Sequence, residues 1–165
     1  MSKAFTREDD DTDEPVLPAP VSLLPLGAKN LLTTAGAERL RADLVKLGEE
    51  RTGLVLQAAH DREVKRELAQ LDQRIRGVQA SLATAEIVEP TGTDQVQFGS
   101  TVTVRDGRGE ESIYRIVGVD EADFSRNEVS WQAPIARALM NAKVGQRVEF
   151  KFPKGMSILE VVRIS

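Results

Sequence analysis

The chain has 165 residues, 41% hydrophobic and 29% charged, a globular composition that allows one ordinary domain or two small ones. The absence of cysteine excludes disulfides, thiolate zinc sites and cysteine nucleophiles, and the single histidine, His60, excludes a multi-histidine metal site. A net charge of −4 argues against a protein that holds nucleic acid by itself through phosphate contacts, and favours a protein partner or a nucleic acid already enclosed by one.

Residues 1–33 read as an acidic, proline-containing leader. Glu8, Asp9, Asp10, Asp11, Asp13 and Glu14 crowd together, and Pro15, Pro18, Pro20 and Pro25 follow. Like charges repel and each proline removes a backbone donor, so a disordered leader is expected, with an acidic interaction tail as the alternative. An acidic start is not a secretory signal, and no stretch approaches the ~18 apolar residues of a membrane span. A cytoplasmic location is the expectation.

Residues 34–87 carry helical periodicity. Ala37, Leu40, Leu44, Leu47, Arg51 and Leu54 recur in steps of three and four, as do Val64, Leu68, Leu71, Ile75, Val78, Leu82 and Ala85. This alternation puts the side chains on one stripe of each helix, the seam of a coiled coil. The short connection through residues 57–61 folds the second helix back antiparallel to the first. Asp61 suits the cap of that second helix, and Glu63 suits its first turn. Each arm should span roughly 35 Å at 1.5 Å per residue. So narrow a seam buries little, and the base of the hairpin must dock on something larger. His60, at the turn, reads as an ordinary loop residue rather than a metal ligand or pH sensor.

Residues 90–165 change period. Pro90-Thr91-Gly92-Thr93 breaks the helix, and strand-like runs follow at 100–105, 112–119, 128–131, 147–152 and 157–164. Asp106-Gly107-Arg108-Gly109 and Pro153-Lys154-Gly155 supply turn chemistry. Pro134 opens one helix expected to run through Ala142, with Gly145 as its stop signal. Trp131 is read as core between sheet and helix, with an interface anchor as the alternative. An antiparallel sheet covered by one helix is a small α+β domain.

Hairpin first and β-rich domain second, with several residue strings, resembles the Gre (GreA/GreB-like) transcript-cleavage and elongation factors over about residues 32–164. The hairpin strings are Leu32-Thr33-Thr34-Ala35-Gly36-Ala37-Glu38-Arg39-Leu40 and Lys65-Arg66-Glu67-Leu68-Ala69-Gln70-Leu71. Those of the C-terminal half are Phe98-Gly99-Ser100-Thr101-Val102, Tyr114-Arg115-Ile116-Val117-Gly118-Val119-Asp120-Glu121-Ala122-Asp123 and Pro134-Ile135-Ala136-Arg137-Ala138-Leu139. The resemblance implies an FKBP-like C-terminal domain that docks on the rim of the RNA polymerase secondary channel, with the coiled coil entering that channel. It marks Asp120, Glu121, Ala122 and Asp123 as the loop facing the polymerase, and Pro134, Ile135 and Arg137 as part of the docking face. Lys65, Arg66, Arg74 and Arg76 would lie near the RNA 3′ end. The competing reading of these four is solvated coiled-coil charge, since Glu67 and Asp72 interleave.

One departure matters. Cleavage-competent members carry an aspartate and a glutamate at the hairpin tip, where they help hold a second magnesium in the polymerase active centre. This chain reads Arg51-Thr52-Gly53-Leu54-Val55-Leu56-Gln57-Ala58-Ala59-His60-Asp61-Arg62 at the corresponding place, without that motif and with a shorter hairpin. The resemblance therefore implies a monomeric regulator that binds bacterial RNA polymerase at the secondary channel without supplying catalytic acids. It would not be an enzyme. It would meet nucleic acid only through the elongation complex, contact no membrane, and carry no metal or cofactor of its own. The alternative is a working cleavage factor in which Asp61 or Glu63 replaces the missing acids. A third reading, a peptidyl-prolyl isomerase, requires an aromatic-lined pocket, whereas the alternating aromatics here are needed for the core.

Overall fold

The structure is a computed structural model and describes residue 24, residues 27–57 and residues 61–165. The acidic run, Pro15, Pro18, Pro20, Pro25 and His60 all lie outside the described residues. The leader expected over 1–33 is nevertheless too long. Asn30–Leu32 form strand β1, which pairs in parallel with β2 (Ala85–Ile87), Asn30 opposite Ala85 and Leu32 opposite Ile87. Burial explains the difference: Leu32 and Thr33 are wholly enclosed. The Asn30 side-chain amide also donates to the Ser81 carbonyl at 3.0 Å and to Thr84 Oγ1 at 3.1 Å.

Helix α1 (Thr34–Gln57) starts where the Thr33 hydroxyl accepts the Gly36 N–H at 3.0 Å, satisfying one of the donors a helix start leaves free. Helix α2 (Arg62–Thr84) starts at Asp61, whose carboxylate accepts the Glu63 N–H at 2.8 Å. The two helices pack as a hairpin along the expected seam. Only Ala37, Leu47 and Leu71 of that seam are buried, and its other apolar members are half-covered. Arg51, a charged residue in an apolar stripe, pairs across the hairpin, with Nε 2.5 Å from Asp72 Oδ1.

The C-terminal half is one five-stranded sheet in the order β5-β4-β3-β7-β6. Its strands are β3 (Thr101–Arg105), β4 (Glu111–Val117), β5 (Glu128–Ser130), β6 (Arg147–Phe152) and β7 (Gly155–Ile164). Three ladders are antiparallel, as expected, but β5 runs parallel to β4, so the sheet is mixed. The connection from Gly118 to Asn127 accounts for this. It makes two 3-10 turns, Val119–Glu121 and Phe124–Arg126, and then Asn127 takes a left-handed conformation (φ 56°), returning the chain to run beside β4 in the same direction.

Helix α3 (Pro134–Leu139) covers one face of the sheet and is shorter than the sequence suggests. It stops at Met140, whose ψ of 133° leaves helical geometry, and Asn141 follows at a positive φ of 65°. Ala142 still enters the core, together with Val102, Val104, Ile116, Leu139, Val148 and Val161. Tyr114, Trp131, Ile135 and Phe150 pack against that cluster, the place expected for Trp131. In the β3–β4 turn, Asp106 Oδ1 accepts the N–H groups of Arg108 (2.8 Å) and Glu110 (2.9 Å), fixing the hairpin locally.

Candidate functional site

Residues singled out by the sequence fall at two ends of the molecule. At the hairpin end, Asp61, Glu63, Lys65 and Arg66 are exposed, and the Asp61 carboxylate is engaged as the helix cap. The end of α1 beside them is apolar: Val55 is 45% exposed and Leu56 81%. At 100° per residue, Arg62, Lys65, Arg66 and Arg76 fall on one face of α2, opposite the seam. Arg74 does not join them, because the same geometry places it with Glu63 and Glu67. The four expected RNA-proximal cations therefore divide three to one.

The other end is the loop after β4. Glu121 was expected to face a partner, but it is buried and committed inside the protein. Its Oε2 accepts the Thr33 N–H at 2.9 Å and the Gly118 N–H at 2.8 Å, and its Oε1 accepts the Thr33 hydroxyl at 2.5 Å. Arg39 of α1 brings Nη2 to 3.9 Å from Glu121 Oε1 and donates from Nη1 to the buried Glu128 at 2.8 Å. A buried carboxylate is tolerated when its lone pairs are satisfied this fully. Asp120 is fastened too, its carboxylate accepting the Ser81 hydroxyl of α2. The acidic loop thus grips both arms of the hairpin at their base, which is the larger support the narrow seam needs.

Neighbouring groups reinforce this junction. Glu89 accepts the Thr34 N–H at 2.8 Å, and the bonds from Thr34, side chain first and backbone second, hold its carboxyl below the ordinary range. Gly118 lies against the Leu31 carbonyl and the Glu121 carboxylate, leaving no room for a β-carbon.

What remains outward on this side is different in kind. Ala122 is exposed and Asp123 half-covered. Asp123 caps the second 3-10 turn, accepting Ser125 N–H at 2.9 Å and Ser125 Oγ–H at 2.6 Å, and these bonds, the hydroxyl's first, depress its pKa. Between them and the first turns of α1 runs a groove lined by Gly36, Leu40, Asp43, Asp120, Ala122 and Arg126 among others. Pro134 and Arg137 are exposed at α3, whereas Ile135 packs against the core and is taken up by folding. Asp61 and Ser81 are twenty residues apart on α2, so the hairpin end lies about 30 Å from the acidic loop. These are two surfaces, not one site. The aromatics that a proline pocket would need, Tyr114, Trp131 and Phe150, are packed on the core.

Sequence reasoning missed Arg39, Glu128, Thr33 and Glu89 as a set. Thr33 had a readable signal, a threonine three residues ahead of Gly36 at a helix start. The pairing of Arg39 with Glu128, eighty-nine positions apart, had none.

Comparison with known proteins agrees across most of the chain. Residues 90–165 match the family described as "Transcription elongation factor, GreA/GreB, C-term". The chain is 34% identical over 152 residues to the transcription elongation factor GreB of Neisseria meningitidis, covering 82% of this chain and 93% of that protein. It is 34% identical over 154 residues to the transcription elongation factor GreA of Thioalkalivibrio sulfidiphilus, covering 83% and 98%. Among solved structures, the GreA factor homolog 1 (Gfh1) of Thermus thermophilus aligns at 26% identity with a TM-score of 0.40, covering 84% of this chain and 99% of that one.

Proposed function

Because this chain belongs to the GreA/GreB family of transcription elongation factors, we propose that it binds bacterial RNA polymerase at the secondary channel and modulates elongation without supplying catalytic acids. The sheet domain docks on the polymerase, and the hairpin, about 35 Å long, projects into the channel. Any magnesium involved is the polymerase's own, and the chain meets RNA only inside the elongation complex. Lys65, Arg66 and Arg76, on one exposed face of α2, are the cations placed to meet the RNA backbone.

The observation that carries the non-cleaving part is the use of Asp61. Its carboxylate accepts the Glu63 N–H at 2.8 Å and serves as the cap of α2. A magnesium ligand must stand within about 2.1 Å of the ion in near-octahedral geometry, and a residue held in a cap is not free to be repositioned for that role. Beside it, exposed Val55 and Leu56 make the end of the first arm apolar rather than acidic.

The test is a backtracked elongation complex assembled with purified polymerase, with transcript cleavage followed in the presence of this protein and of an active cleavage factor. The expected result is no stimulated cleavage by this protein and suppression of the active factor. Stimulated cleavage would overturn the non-cleaving reading in favour of Asp61 or Glu63 as replacement acids. Asp61→Asn then becomes decisive, because asparagine caps a helix about as well as aspartate but carries no charge for magnesium. Failure of the protein to bind polymerase at all would refute the docking itself.

A further inference from the structure

Phe124 is 88% exposed, the most exposed large apolar side chain among the described residues. An aromatic ring in water forgoes a large burial gain, so such exposure calls for a reason. Phe124 is not exposed because its loop is loose. Asp123 and Glu128 exchange two backbone hydrogen bonds of 3.0 Å, and the Arg126 N–H returns to the Asp123 carbonyl at 3.1 Å. The Asn127 N–H returns to the Phe124 carbonyl at 3.2 Å, and the Asp123 carboxylate takes both the N–H and the hydroxyl of Ser125. Six consecutive positions, from Asp123 to Glu128, are thus spanned by local bonds, with the ring standing out from a rigid turn.

A preorganised aromatic of this kind is what binding interfaces concentrate their energy in, because little entropy remains to be lost when it is covered. Its surroundings indicate what covers it. The groove next to this turn carries the carboxylates of Asp43, Asp120 and Asp123, with Leu40 and Ala122 as apolar ground. Glu121 in the same wall is already used by Thr33 and Gly118, and Arg39 is turned to Glu128. Exposed Arg126 also lines the groove, so the outward charge is the three carboxylates against one cation, predominantly negative.

We propose that Phe124 is the apolar anchor of the docking surface, seated in a hollow of the polymerase that is edged by a basic side chain received by the groove of Asp43, Asp120 and Asp123. This rests on the reading that the chain binds RNA polymerase, and it changes which residues of the loop do so. Glu121 holds the loop in place, and Phe124 makes the contact. Because one wall of the groove belongs to α1 and the other to the sheet domain, the partner's cation bridges the two, and docking is strongest when the hairpin base is closed on the loop.

The test measures affinity for purified RNA polymerase by competition with a labelled wild-type chain. Phe124→Ala should weaken binding by about tenfold or more. Its melting temperature should not change, since the ring packs on little within the protein. Phe124→Trp should retain most of the affinity, and Asp43→Lys should weaken binding with a smaller dependence on salt. Met156→Ala, an exposed apolar change elsewhere on the domain, should bind as wild type. A Phe124→Ala chain that binds polymerase as tightly as wild type overturns the inference while leaving the proposed function standing. A wild-type chain that does not bind polymerase overturns the function itself. Concentration-dependent self-association that Phe124→Ala abolishes would make the occupant a second copy of this chain, and would equally overturn the assignment to the polymerase.

Discussion

Gly36 of α1 lies directly against the Glu121 carboxylate, so close that a β-carbon at position 36 would overlap it. The end of a glutamate side chain is ordinarily easy to displace. This one is not, since three hydrogen bonds from Thr33 and Gly118 fix it in a buried place. Gly36→Ala should therefore destabilise the protein by about 1–3 kcal/mol, against the ordinary trend that alanine in a helix is favoured by about 1 kcal/mol. Gly48 lies in the same helix with open space where a β-carbon would go, and Gly48→Ala should stabilise by up to about 1 kcal/mol. Urea denaturation of the pair checks both signs, and a Gly36→Ala variant as stable as wild type would contradict the close packing.

Glu121 itself gives the second expectation. Glutamine keeps the shape of glutamate but offers one acceptor oxygen and an NH₂ group where three donors converge. With its oxygen kept under the Thr33 and Gly118 N–H groups, its NH₂ faces the Thr33 hydroxyl, which must turn to accept, and the Arg39 guanidinium, at a cost of about 1–3 kcal/mol. Hydrogen exchange should locate the effect. Amides of Thr33, Gly36 and Gly118 should lose protection, while those of β3, β4 and β7 should keep most of theirs. Uniform loss across the sheet would mean that the junction and the sheet unfold as one unit.

A third expectation concerns pH. The carboxyls of Glu89 and Asp123 are held below their ordinary range, by Thr34 and by Ser125 respectively. Each therefore stabilises the fold fully above the unfolded carboxylate value, near 4, and loses that contribution as pH falls through its lower folded value. Glu89 is exposed and Asp123 only half-covered, so screening keeps the contributions small. Glu89→Gln should be less stable than wild type near pH 7, with the gap closing as pH falls through the lowered folded value of Glu89. A gap that stays constant with pH would show that packing, not ionisation, is responsible.

Much of this architecture could be read from the residues. Alternating steps of three and four gave both helices to within a residue or two, and alternation with turn residues located all five strands of the sheet. Local signals were enough there because the periodicities are properties of single segments. What escaped was set by contacts far apart in sequence. Asn30–Leu32 is too short a strand to announce itself, and it exists through Ala85–Ile87 and the enclosure of Leu32. The parallel setting of β5 depends on one left-handed residue, Asn127. The acidic loop was legible as a special place, but its division of labour was not. Sequence cannot tell a carboxylate turned inward to Thr33 from one turned outward, and it gave no reason to single out Phe124.

The seam of the hairpin carries the last expectation. Arg51 occupies a position where the heptad pattern calls for an apolar residue, and its guanidinium meets Asp72 at 2.5 Å on the exposed side of the hairpin. Exposed ion pairs typically contribute ~0–1 kcal/mol, because solvent screening and side-chain entropy offset most of the attraction. A leucine in a half-buried seam gains by removing apolar surface from water, at about 25 cal/mol per Å². Arg51→Leu combined with Asp72→Asn should therefore leave stability unchanged or raise it, and Asp72→Asn alone should cost no more than about 1 kcal/mol, less at high salt. Thermal melts at low and high ionic strength separate the two contributions. A large loss in the double variant would mean that the pair fixes the register of the two arms, with the arginine retained in the seam for alignment rather than for stability.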